Sequence, residues 1–391
     1  MTAERQSARF LGLYALAWAG GAAAYIPLLT VLLPARVAAL AGQDAVAWLG
    51  YIAFAGAVAA SLGHIGAGLL SDLLANRRVP ALAGLAGFAA LTPMFALPER
   101  LGEFVALVVA WQLALNLMLA PLSAWAGDCV PDQQKGVLGG LIAFAPATGA
   151  AAGVLITIPG LADFAARLWL VVGVVGLAVL PVLLFGRPRP IDTDSRIVPG
   201  DAPGWSPPTA PNGRVARMWL ARLLVQIAEA TLFAYLYLWL TSFDAGFDDA
   251  DVARLFMAIL ALGVPASIAV GRWSDRNDEP IMPLRIAAAV GAAGLVAMAL
   301  APSLLPALVA YGVFILSTAV FLSLHSAQVL RVLPRPERRG RDLGFFNLTN
   351  TVPSLVMPWL TIALIPRLGY SALFWVLAGL AALAPILLPR R

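Results

Sequence analysis

The chain has 391 residues, of which 61% are hydrophobic and only 12% charged. An average soluble domain carries roughly 25% charged residues, so a water-soluble globular class is excluded. The formal net charge of +5 lies in the loops between apolar runs. It reads as membrane topology and attraction to an anionic leaflet, not as a nucleic-acid surface, and a single cysteine excludes an internal disulfide and any multi-cysteine metal site.

A membrane-crossing helix needs about 20 mostly apolar residues. Twelve such runs follow one another, at 8–34, 45–70, 79–97, 103–126, 137–158, 168–186, 215–241, 252–273, 281–301, 303–331, 343–365 and 370–388. The first begins after Arg5 and Arg9, is too long for the apolar region of a signal peptide, and is expected to be retained. It carries Tyr14, Trp18 and Tyr25, aromatic side chains suited to stacking on a ring-bearing solute or to packing. The second carries Ala55, Ala59, Gly63 and Ala67 at intervals of four, a stripe that lets another helix approach closely. His64 stands among these small residues and reads as a weak candidate.

The fourth run holds Gln112 and Asn116 and is followed by Asp128 and by Cys129, which reads as a small apolar filler. After the sixth comes the one long connection, rich in Pro, Asp and Arg, which reads as a linker without a long helix. In the seventh, Arg222, Gln226 and Glu229 are spaced i, i+4, i+7 and share one helix face. The tenth places Thr318, Phe321 and His325 at helical spacing, and the eleventh presents Asn347, Asn350, Thr351 and Ser354 as a polar face. Pro27, Pro146, Pro265, Pro353 and Pro358 interrupt apolar runs and predict bends.

The runs repeat as two halves. Gly-Leu-Leu-Ser-Asp at Gly68 to Asp72 returns as Gly-Arg-Trp-Ser-Asp at Gly271 to Asp275, and the same offset carries Ser123-Ala124 onto Ser326-Ala327 and Pro131 onto Pro334. With one added residue, Gly136 and Gly140 align with Gly340 and Gly344. Such a duplication in a membrane protein predicts a solute site at the repeat interface and alternating access by rocking of one half against the other. The expected division is a first six-helix bundle at 1–186, a cytoplasmic linker at 187–214 and a second six-helix bundle at 215–391. The fold class is therefore an all-α membrane protein of twelve transmembrane helices in two pseudo-symmetric six-helix bundles.

Most of the 26 Lys and Arg residues fall in alternate loops, which places both termini in the cytoplasm. Arg outnumbers Lys 25 to 1, as in a GC-rich bacterial genome, and the inner membrane is the expected location.

Six plus six runs with a Gly-x-x-Ser-Asp turn after runs 2 and 8 resemble the major facilitator superfamily over the whole chain. The resemblance implies that fold, and assigns the loop after run 2 to a cytoplasmic gate: Gly68, Asp72, Arg77 and Arg78 stand at motif positions, while Leu73 and Ala75 depart from it. It also implies that Arg77 or Arg78 reaches Asp128 at the end of run 4. The second copy keeps Gly271, Asp275 and Arg276 but follows them with Asn277, Asp278 and Glu279, so its basic pair is missing. Independently of the family, a carboxylate at Asp72 is suited to accept bonds from exposed helix N-terminal amides. The stretch from Pro121 through Asp128 and Pro131 to Lys135-Gly136 is similar to sucrose and glycoside transporters of that superfamily, with Ser123 where those tend to have Arg.

The resemblance makes runs 1, 4, 7 and 10 the central helices, so Trp18, Tyr25, Gln112, Asn116, Arg222, Gln226, Glu229, Thr318 and Asn350 are the expected solute-binding residues, and Asp72, Arg77, Arg78, Asp128, Asp275 and Arg276 the gate. Glu229 and His325 are the expected proton-coupling pair, because a carboxylate near mid-bilayer costs about 3 kcal/mol to insert and marks function by default. No Walker loop, His/Cys metal cluster or Ser-His-Asp set occurs, so neither an enzyme nor a cofactor is expected. The expectation is a monomeric, proton-coupled secondary transporter of a small organic solute. A flippase for an amphipathic lipid or lipid-linked sugar, or a non-transporting scaffold, is the alternative.

Overall fold

The structure, a computed structural model, describes all residues except 1–4, 75, 132, 133, 135, 136, 139, 140, 143, 190–212, 245, 278, 333–338 and 389–391. At 127, 260, 275, 327, 329–332, 339–348 and 350 only the backbone is described. Twelve α-helices are used below: α1 Ala8–Pro27, α2 Leu33–Ala41, α3 Ala45–Leu73, α4 Arg78–Leu91, α5 Leu101–Cys129, α6 Ala145–Ile156, α7 Phe164–Phe185, α8 Gly213–Thr241, α9 Asp249–Asn277, α10 Met282–Ala299, α11 Leu304–Val332 and α12 Arg339–Leu387.

Among the described residues, nine helical stretches are long and apolar enough to cross a bilayer. Two of them, Ala8–Leu73 and Thr351–Leu387, run 66 and 37 residues, well beyond the about 20 needed for one crossing. Each is broken at a glycine: Gly42 at φ 52° and Gly369 at φ 77° adopt backbone conformations that side-chain-bearing residues avoid. Gly369 falls in the gap expected between the last two runs. Within the run at 137–158, where 139, 140 and 143 lie outside the described residues, Ala145–Ile156 forms a helix of 12 residues with Pro146 in its first turn, where a missing N–H costs nothing. Pro27 closes α1, and the chain passes through a π turn at Leu28–Leu32 before α2.

Large apolar side chains lie open on the outer faces, among them Leu62, Ile65, Trp169, Leu177, Leu305 and Ile386. Apolar surface on this scale is stable only against lipid, where helices satisfy their own backbone groups. The chain is thus a multi-pass membrane protein.

Two compact units form, Met1–Leu29 with Val58–Ala210, and Thr30–Ala57 with Pro211–Arg391. In the first, α1 packs on α6 and α7, and α4 on α5. Lipid offers no hydrophobic drive between helices, so small residues at the crossings carry the packing. A methyl at Gly84 of α4 would lie 2.3 Å from the Met118 backbone N and 2.6 Å from the Leu117 carbonyl carbon of α5. Trp111 is fully buried in this core; its Nε1 donates to Thr92 Oγ1 at 3.0 Å, which donates to Phe88 O at 2.7 Å.

In the second unit α8 packs on α12, α10 on α11 and α12, and α9 on α11. Its core includes Met218, Val225, Leu284, Phe321, Leu324 and Ala384. The segment Thr30–Ala57 belongs here because α2 lies against α8 and the outer part of α3 is bonded in: Tyr235 Oη donates to Val46 O at 3.3 Å, and Phe54 meets Trp359 edge to face at 5.5 Å. Most of the expected linker, 190–212 of 187–214, lies outside the described residues.

Candidate functional site

Three groups of polar side chains stand out, two inside spans and one at the mouth of the first unit. The first is on α8. Arg222 Nε donates to Gln226 Oε1 at 3.0 Å, one helical turn on, and Arg222 NH1 donates to Ser326 Oγ of α11 at 2.8 Å. Ser326 in turn donates to Leu322 O at 2.8 Å. Arg222 is thus held by Gln226 on its own helix and by a hydroxyl that sequence reasoning did not single out for it. A signal was present: Ser326 is the repeat counterpart of Ser123, whose hydroxyl makes the equivalent bond back to Leu119 O at 2.9 Å.

Glu229, a further turn along, is partly buried within the span Gly213–Thr241, and among the described residues its carboxylate makes no hydrogen bond and no ion pair. Seven residues at a rise of about 1.5 Å keep it roughly 10 Å from Arg222 along the helix. His325 is placed elsewhere. It is fully buried on α11, Nε2 lies 3.0 Å from Met218 O of α8, and its ring packs against Phe321 at 5.4 Å. That bond ties two helices, as a structural histidine does. Thr318 is buried at 2% exposure beside Gly291 of α10, within a small void lined also by Val225, Phe314 and Phe321. It faces packed side chains. Asn350 lies outside the described side chains.

The second group lies in the first unit. Asn116 and Gln112 are buried on α5. Asn116 Nδ2 donates to Gln112 O at 2.9 Å and approaches Gln112 Oε1 at 3.5 Å, and Asn116 Oδ1 lies 3.1 Å from His64 Nδ1 of α3. On α1, Trp18 is partly buried with its ring centroid 6.5 Å from that of Tyr14, whose hydroxyl donates to Leu122 O of α5. Tyr25, seven residues on from Trp18 and on the same helix face, is partly buried. The structure does not bring these aromatic residues into contact with the Asn116 group through any bond among the described residues.

The third group forms the mouth of the first unit. Arg77 Nε donates to Asp128 Oδ2 at 2.8 Å, and its NH1 donates to Ser71 Oγ at 2.6 Å and to Asp72 Oδ1. Desolvation works against the guanidinium's charge, but the bonds to Asp128 and Asp72 outweigh it and raise the Arg77 pKa. Asp72 thus accepts from Arg77, in place of the helix amides expected from its position. Arg78 takes other partners: its NH2 donates to Gly186 O at the end of α7, and its guanidinium lies over the Trp125 ring at 5.1 Å. Asn76 caps α4 by accepting from the Arg78 and Val79 amides at 2.9 and 3.2 Å. In the second copy Arg276 is exposed and no ion pair to it is present among the described residues, while Ser274 bonds its own loop at Glu279 O, 3.0 Å. The Asp275 side chain lies outside the described residues.

An open groove of about 530 Å³ between α9, α10 and α11 is lined by Ala266, Val270, Trp273, Ile286, Val290 and Val313 among others, with Ser317 as its hydroxyl. It offers room for lipid chains and no charged group for a headgroup.

The helical architecture defines a polytopic membrane protein with polar groups inside its spans. Residues 10–329 match the family model for the Major Facilitator Superfamily. The chain belongs to that superfamily, which is one of transporters and not of enzymes. It is 27% identical over 263 residues to an uncharacterised MFS-type transporter found in two strains of Mycobacterium tuberculosis, a match covering 66% of this chain and 57% of the relative's length. Solved structures share the fold. A nucleoside transporter, NupG, superposes with a TM-score of 0.71 at 13% identity, covering 96% of this chain and 98% of its own. A bacterial homologue of the human lysosomal transporter Spinster gives 0.69 at 14% identity, covering 97% and 94%. A human organic anion transporter gives 0.66 at 17% identity, covering 97% and 98%.

Proposed function

We propose that this chain is a secondary transporter, acting as a monomer, that moves a small organic solute across the bacterial inner membrane by alternating access, with both termini cytoplasmic and with a proton carried by Glu229. One observation carries the coupling role. The Glu229 carboxylate stands within a span without a hydrogen bond or ion pair among the described residues, while Arg222, the cation on its helix face, is engaged by Gln226 and Ser326. An intramembrane charge in that state is costly, and a proton or a cationic part of the solute removes the cost. A ligand that binds one facing state better than the other shifts their populations by that difference in affinity, which is what coupling requires.

His325 is left out of the relay, since its Nε2 is committed to the Met218 carbonyl. Arg77, Asp72 and Asp128 are assigned to the gate, with Arg78 bracing it through Gly186 and Trp125. The solved relatives bear names that refer to different solutes, so the solute class stays at that of a small organic molecule. The flippase alternative finds no support in the groove on α9 to α11, whose lining carries no charge.

The test is reconstitution of the wild type and Glu229→Gln in proteoliposomes, after a thermal-shift screen of sugars, organic acids, nucleosides, peptides and lipids at two pH values has identified a solute. Accumulation driven by a proton gradient should be lost in the variant while solute exchange persists. Uphill accumulation at the wild-type level by Glu229→Gln would refute the assignment.

A further inference from the structure

His64 received little weight in the sequence because its neighbours are small, yet those neighbours are what places it. A methyl at Gly63 would lie 3.1 Å from Leu113 Cδ2 and 3.4 Å from Asn116 Cβ, so the absence of a side chain there lets α3 approach α5 until His64 Nδ1 and Asn116 Oδ1 are 3.1 Å apart. The direction of this bond follows from the rest of the network. Asn116 Nδ2 is spent on Gln112, donating to its backbone carbonyl at 2.9 Å. Oδ1 is then the atom facing His64, and it can only accept. Nδ1 must therefore carry the ring proton, and in the neutral imidazole this makes Nε2 an acceptor with a free lone pair.

The helix face fixes where that lone pair points. Ser61, His64, Gly68 and Asp72 are spaced i, i+3, i+7, i+11 and share one face of α3, while Leu62, Ile65, Leu69 and Leu73 share another about 100° away. The leucine and isoleucine side chains of the second face are 60% or more exposed, as lipid-facing residues are. His64 is also exposed, but on the face of small and polar residues that ends at the gate carboxylate Asp72. A polar side chain exposed inside a membrane borders water, since lipid cannot satisfy it.

We propose that His64 is a solute-contacting residue of the first unit: its Nε2 accepts a hydrogen bond from a hydroxyl- or amine-bearing solute in the aqueous path leading to Asp72, and Asn116 and Gln112 are positioning residues that hold the ring and its tautomer. Asn116, expected from sequence to touch solute directly, is buried and acts through His64, to which its Oδ1 is bonded. This rests on the transport reading but not on Glu229.

The chain contains only two histidines, so uniformly ¹⁵N-histidine-labelled full-length protein in lipid nanodiscs gives a two-residue spectrum, assigned by loss of one set of signals in His64→Gln. In its neutral form the His64 ring should show a protonated Nδ1 and an unprotonated Nε2, and its signals should broaden with a water-soluble gadolinium chelate and not with a lipid-soluble nitroxide. Asn116→Leu should release the tautomer preference, and so should Gly63→Leu by separating the helices. A neutral ring protonated at Nε2 in the wild type, or broadening by the nitroxide alone, would overturn the proposal. Compounds from the panel of glucose, ribose, uridine, citrate and a dipeptide that stabilise the wild type should bind His64→Leu about ten-fold more weakly, the loss of roughly one hydrogen bond, and unchanged affinity would overturn the contact. If no compound stabilises the wild type, the transport reading has failed its screen, while the tautomer and broadening results still decide which way His64 faces.

Discussion

Arg77 of the loop after α3 and Asp128 near the end of α5, 51 residues apart in sequence, meet at 2.8 Å, and the same guanidinium also engages Ser71 and Asp72. One side chain thereby joins the ends of two helices that α4 connects. The carboxylates are 61% and 50% exposed at Asp72 and Asp128, and pairs this open to solvent contribute about 0–1 kcal/mol. Asp128→Asn should therefore leave the thermal unfolding midpoint of purified protein nearly unchanged while altering transport or facing-state populations. A large loss of stability would instead make this pair a structural lock.

Cys129, next to Asp128, offers a reporter of that mouth. Burial pushes its thiol pKa up, and the Asp128 charge pushes in the same direction. A raised pKa means less thiolate at any given pH, hence slow reaction with a maleimide near neutrality and a rate that keeps climbing above the range where a free thiol levels off. Asp128→Asn removes one of the two causes and should speed labelling at fixed pH. Because this is the only cysteine, mass spectrometry of intact protein reads the rate directly, and a variant that labels no faster than the wild type contradicts the electrostatic part of the argument.

Gly84 should be among the least replaceable positions of the first unit. The atoms its added methyl would meet are backbone, at 2.3 and 2.6 Å, and backbone cannot rotate away. Gly84→Ala must push α4 off α5, and overpacking of this kind costs on the order of 1–3 kcal/mol or more. Folded yield after detergent extraction and size-exclusion chromatography should fall sharply. Gly173→Ala, with nothing within 4 Å of the new methyl, should match the wild type.

How far the sequence reached depended on whether a feature was local. Apolar runs, the Gly369 break and the shared face of Arg222, Gln226 and Glu229 are set by neighbours in the chain, so composition and periodicity revealed them. Pro146 was expected to bend a run, and it opens the helix Ala145–Ile156 instead, a difference that apolar composition alone does not reveal. Apart from the reach of Arg77 or Arg78 to Asp128, which the family resemblance alone implied, partners across helices were not legible. His64 looked idle because the approach permitted by Gly63 is a property of two helices, and His325 looked like a relay because its bond to Met218 O comes from α8. The choice of Arg77 over Arg78 for Asp128 was likewise decided by where the Gly186 carbonyl and Trp125 sit.

The placement of Thr30–Ala57 with the C-terminal half of the chain gives the last prediction. A methyl at Gly50 of α3 would lie 2.6 Å from Ile362 Cδ1 and 2.7 Å from Ile362 Cγ1 of α12, and 3.1 Å from the Tyr235 hydroxyl of α8. The outer part of α3 therefore seats on α8 and α12 only because residue 50 lacks a side chain. Paired cysteines form a disulfide when their Cβ atoms are about 3.5–4.5 Å apart, so Gly50→Cys with Ile362→Cys, in a Cys129→Ala background, should cross-link under mild oxidation, and a protease site placed in the chain between them makes this visible as a retained full-length band. If the seat must open during alternating access, the oxidised protein should lose transport and regain it on reduction. Gly50→Phe should hold the seat apart without any oxidant. Failure to cross-link refutes the contact, and full transport by the oxidised double variant refutes its opening.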